Sequence, residues 1–127
     1  MYKYAIIAAA ALFTFQQSIA AETCDRYTTS YDRTYCFSKL FVESDKELND
    51  VYKSLRKHLS TQARQNLKNT QLEWLQYRNK SCETNPGTIN VDCNYRVNKE
   101  RTEYLRDRLR ECKSGMCNTD LATSKSW

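Results

Sequence analysis

The chain has one proline and two glycines among 127 residues. That excludes most β-rich folds, which need repeated turn residues. It has one histidine, His58, placed near the end of a helical pattern between Lys57 and Leu59, where its cation suits a helix C-terminus. A zinc site needs a cysteine pair two to four residues apart with further Cys or His; only Cys112 and Cys117 lie close. There is no Gly-x-Ser-x-Gly elbow, no phosphate-binding loop and no metal motif. Fifteen acids are present, but nothing sets two of them in an apolar cleft as glycoside cleavage requires. The sequence therefore predicts no enzyme, no catalytic residue, no cofactor and no metal. It has no internal repeat or low-complexity tract.

The only long apolar run is Ala5 to Phe15, too short to span a bilayer as a mature helix. Lys3 precedes it, and Ser18-Ile19-Ala20 or Ile19-Ala20-Ala21 supplies the small residues that a signal peptidase cuts after. Residues 1–21 therefore read as a secretory signal, cleaved after Ala20 or Ala21. Cys24 follows Ala21-Glu22-Thr23, which is not a lipid-attachment box. Without the signal, roughly 106 residues remain, enough for one domain. The expected product is periplasmic or secreted, with no transmembrane segment after cleavage.

Six cysteines, at 24, 36, 82, 93, 112 and 117, lie beyond the signal. An even count in a short exported chain indicates disulfides. The formal charge of +5 falls to about +4 with Lys3 removed. Through Glu100, Arg101, Glu103, Arg106, Asp107, Arg108, Arg110 and Glu111 the basic residues alternate with acids. This is the pattern of an ion-paired solvated face, not of a nucleic-acid groove.

Helical periodicity organises the rest. Phe37, Leu40, Phe41, Leu48, Val51, Tyr52, Leu55 and Leu59 form an apolar stripe. Ser44 and Glu47 have capping-box spacing, which predicts a short helix over 32–42 and a longer one over 45–59. Ser60-Thr61 caps a second helix over 62–82, with Ala63, Leu67, Trp74 and Leu75 inward. A turn containing Pro86-Gly87 spans 83–92. A third helix covers 93–112, with Val97, Tyr104, Leu105 and Leu109 inward. The expected fold is all-α: a small, disulfide-stapled antiparallel three-helix bundle with a short extra N-terminal helix. The helical domain covers 22–112, and 113–127 is a polar tail, loose apart from a local disulfide loop.

This geometry favours Cys82–Cys93, which join the end of helix two to the start of helix three. Cys112, about 30 Å along a twenty-residue helix, pairs locally with Cys117. Cys24 and Cys36 remain, with Cys36–Cys82 as the competing pair.

Two regions could carry recognition. Asn49, Tyr52, Gln71, Trp74, Arg78 and Arg101 place polar groups beside apolar ones at helical spacing, either as a buried register-fixing network or as a partner surface. The loop Pro86, Gly87, Thr88 and Ile89, clamped at its base, would lose little entropy on entering a partner's cleft. Tyr27, Tyr31 and Tyr35 form an aromatic edge that suits core contact as well as recognition.

Several motifs then combine. They are Cys24…Cys36, Asp45-x-x-Leu48-Asn49-x-x-Tyr52 and Leu67-x-x-x-Gln71-x-x-Trp74-x-x-x-Arg78-x-x-x-Cys82, followed by Gly87-Thr88-Ile89, Cys93 and Arg101-x-x-x-Leu105. Together they resemble the LprI-type lysozyme-inhibitor domain family, from about Cys24 to Cys112. Cys112–Cys117 is not part of that pattern. The resemblance implies an exported bacterial protein with a compact helical domain that inhibits lysozyme. The reading is an exported binding protein that occludes a lysozyme-like muramidase. The alternatives are an envelope protein holding anionic glycan or lipid headgroups through Arg and Lys of helix three, or a structural or secretion-associated module. Oligomeric state, lysozyme class and final location stay open.

Overall fold

The computed structural model describes residues 23–127; the signal segment expected over 1–21 lies outside them. After a helical turn at 23–25, the chain forms α1 (Ser30–Arg56), α2 (Thr61–Ser81), α3 (Val91–Lys113) and a short α4 (Thr119–Ala122). The molecule is all-α, as its shortage of turn residues requires. Among the described residues no helix is long and apolar enough to cross a membrane.

Each long helix starts on a side-chain cap. Thr29 accepts from the Asp32 amide at 3.1 Å, Ser60 from Ala63 at 3.2 Å and Asn90 from Cys93 at 3.0 Å. α3 ends in a Schellman turn: the Gly115 amide donates to Cys112 and the Met116 amide to Glu111. Gly115, at φ +87°, occupies the left-handed position that this turn requires.

The break expected at Ser44 does not occur. Ser44 sits buried inside one continuous α1, which replaces the two helices anticipated over 32–42 and 45–59. Its hydroxyl donates back to Phe41 O at 2.9 Å and accepts from Asn98 Nδ2 of α3 at 3.1 Å. Glu47, the other half of the supposed capping box, is bound instead to Lys99 and Arg106 of α3. Tertiary partners have taken both side chains, so nothing terminates the helix.

Cross-helix pairs give the topology. Phe37 packs on Tyr95, Ser44 bonds Asn98 and Glu47 pairs with Lys99, so α1 and α3 run the same way. Arg64 of α2 donates to Arg56 O and Arg78 to Asp45, so α2 runs opposite to α1. The result is an up-down-up bundle. The main core joins Leu48, Leu55, Leu67, Trp74 and Leu105, and a smaller cluster around Cys24, Phe37 and Tyr95 closes one end. The disulfides are Cys24–Cys36, Cys82–Cys93 and Cys112–Cys117, so the competing Cys36–Cys82 pair does not form.

The segment after Lys113 is not loose. α4 buries Ala122 in the main core. Thr70 donates to Thr123 O at 2.9 Å, Tyr104 donates to Leu121 O at 2.6 Å, and Lys125 pairs with Glu73. Trp127 packs on Tyr77 and beside Arg101. Its polar composition concealed this docking, because backbone carbonyls supply most of the acceptors.

Candidate functional site

The α2–α3 loop is closed at its base by Cys82–Cys93, whose Cα atoms lie 5.4 Å apart. Inside it, the Glu83 carboxylate accepts from the Gly87 amide at 2.5 Å. The Thr88 hydroxyl donates to Asn85 O at 2.6 Å and accepts from the Asn85 amide at 2.9 Å. Gly87 has φ +79°, a backbone state that other residues adopt at a cost. These bonds spend the loop's polar groups on itself. Pro86, Gly87, Thr88 and Ile89 are all exposed, Ile89 by 73 %.

Ile89 stands between two depressions. One, of about 680 Å³, is bordered by Phe41, Arg78, Asn79, Gly87 and Thr88. The other, of about 390 Å³, is bordered by Arg33, Phe37, Asn90 and Asp92. The loop is thus a ridge with an apolar crest and a concave surface on each flank.

Behind the ridge lies the polar network. Arg78 Nη1 donates to Asn98 Oδ1 at 2.9 Å and to Asp45 Oδ1 at 3.2 Å, while Nε and Nη2 share Asn79 Oδ1. Its guanidinium lies over the rings of Phe41 and Trp74. Arg101 Nε donates to Gln71 Oε1 at 3.1 Å, and this second pair meets the first across Trp74. The structure therefore brings Gln71, Trp74, Arg78 and Arg101 together. Asn49 is exposed and reaches only Asp45, at 3.5 Å. Tyr52 accepts from Arg56 at 3.5 Å, outside the network. Asn98 and Ser44 were missed. Asn98 interrupts the seven-residue series Val91, Asn98, Leu105, Cys112, and an amide in such a stripe marks a buried polar contact.

Charge is largely paired. On α3, Arg96 meets Asp92, Lys99 and Arg106 share Glu47, Arg108 meets Glu111, and Arg110 meets Asp107. Burial pushes the Glu47 carboxyl up, but hydrogen bonds from Lys99 and Arg106 outweigh it and hold the group below its ordinary value. Among the described residues no group of three or more His, Cys, Asp and Glu could hold a metal ion.

No curated protein and no solved structure matches the chain. The family model described as lysozyme inhibitor LprI matches residues 21–105, which include α1, α2 and α3 as far as Leu105. Cys112–Cys117 and α4 fall outside the match. With its Gln-Trp-Arg-Cys helix packed as described and the following cysteine bonded to it, this chain belongs to the lysozyme inhibitor LprI family.

Proposed function

We propose that this protein is exported and inhibits a lysozyme-like cell-wall muramidase by steric occlusion, with the Pro86–Ile89 ridge entering the glycan cleft. The observation that carries the reading is the ridge itself: a loop stapled at its base, hydrogen-bonded internally and crested by an exposed isoleucine. Ordering costs for such a loop are already met before binding. Three disulfides fit a periplasmic or extracellular setting, where thiols oxidise. Occlusion requires no chemistry from the inhibitor.

The acids of the loop region, Glu83 and Asp92, are engaged by Gly87 and Arg96. Contact with the enzyme therefore falls to the loop backbone and Ile89, not to charge pairing. Clearing of a peptidoglycan suspension by several muramidase types, with and without micromolar protein, tests the reading. Slowed clearing by at least one type is expected; unchanged rates with all of them would reject it.

A further inference from the structure

The groove between α2 and α3, away from the loop ridge, holds a small cavity of about 100 Å³ lined by Trp74, Tyr77, Arg101, Tyr104 and Trp127. Arg101 is 4 % exposed. Its Nε is satisfied by Gln71, yet Nη1 and Nη2, both buried, have no hydrogen-bond partner among the described residues. The other buried guanidinium differs: every nitrogen of Arg78 is bonded. Around Arg101, the ring centroids of Trp74, Tyr104 and Trp127 lie 5.9, 5.4 and 5.2 Å from the guanidinium carbon. Ring faces attract the cation, but they do not replace in-plane acceptors for its N–H groups.

Among the described residues no carboxylate pairs with Arg101, and burial pushes its guanidinium down to about 10. A buried cation without a counter-ion is costly, and leaving it so calls for an explanation. The unpartnered Nη1–Nη2 edge has the fork geometry that receives a carboxylate through two parallel hydrogen bonds. The volume fits an acetate-sized group between aromatic walls. Exposed Glu100 at the rim disfavours a dianion more than a monoanion.

We propose that this aromatic-walled cavity is a binding site for the carboxylate of a small organic acid, held bidentately by Arg101 and covered by Trp127. The C-terminal segment, docked through Thr123, Leu121 and Lys125, holds Trp127 in place as the lid. The site is independent of the muramidase reading and stands or falls separately.

Both tryptophans of the chain line the cavity, so intrinsic fluorescence reports on it directly. The oxidised full-length protein is titrated with sodium acetate, sodium chloride or sodium phosphate at constant ionic strength. A saturable change with acetate alone is expected. Arg101→Lys, which keeps charge but loses the fork, should weaken acetate binding about tenfold or more. Gln71→Glu, which sets an internal carboxylate beside Arg101, should abolish the acetate response while the protein stays folded by circular dichroism. Equal responses to acetate and chloride, including none to either, would mean that the cavity does not recognise a carboxylate and would overturn the proposal. So would a response to phosphate in place of acetate, or unchanged acetate affinity in a folded Arg101→Lys or Gln71→Glu protein.

Discussion

Asn98 and Asp45 both accept from Arg78, but they differ in what their loss exposes. Asn98 is fully buried and bridges Arg78 to Ser44, whereas the Asp45 side chain is 43 % exposed. Asn98→Ala therefore removes a fully buried acceptor from Arg78 and a buried donor from Ser44, and should cost about 1–3 kcal/mol in urea unfolding. Asp45→Ala lets Arg78 keep Asn98 and Asn79 and should cost less than about 1 kcal/mol. A larger loss from Asp45→Ala than from Asn98→Ala would contradict this ordering. Glu47 sets a pH dependence of known sign. Its folded carboxyl titrates below its ordinary value, so its contribution is complete above the unfolded pKa and is lost as pH falls through the folded one. The urea midpoint should fall on acidification below about pH 5, and Glu47→Gln should flatten that decline. Parallel pH profiles for the two proteins would show that Glu47 does not contribute.

At the level of elements, α2 was the most legible. Its Ser60 cap, its apolar positions and the cysteine that follows it agree with one another, and nothing else competes for them. α1 was misread at Ser44 because serine, followed three residues on by glutamate, carries the same local signature whether it caps a helix or bonds a neighbour. The polar network was half legible: Gln71, Trp74, Arg78 and Arg101 follow from helical spacing. Asn98 and Ser44 lie on stripes that look apolar until their partners are known. The loop has its own test. Replacing Cys82 and Cys93 with serine opens a crosslink separated by 11 residues and should cost about 2–4 kcal/mol. Helical circular dichroism should persist at low temperature, while amide exchange quickens across 83–90. If exchange there is unaltered, the internal bonds of Glu83 and Thr88 suffice to hold the ridge.

For the whole molecule, short connections dictated the up-down-up order, and the spacing of cysteines along rigid helices narrowed the disulfides. The C-terminal segment escaped because its docking rests on backbone carbonyls of Leu121 and Thr123, which leave no trace in side-chain pattern. What emerges is a stapled bundle that carries an exposed, internally hydrogen-bonded ridge, Pro86 to Ile89, at one end. Ile89→Asp places a charge on the crest without touching core, caps or disulfides. The most direct test is therefore inhibition of muramidase clearing by the native protein and by Ile89→Asp, compared over the same concentrations. Inhibition by the native protein, weakened about tenfold or more in a variant of equal thermal stability, is the predicted result. Equal inhibition by both proteins would place the contact elsewhere on the molecule and contradict the account.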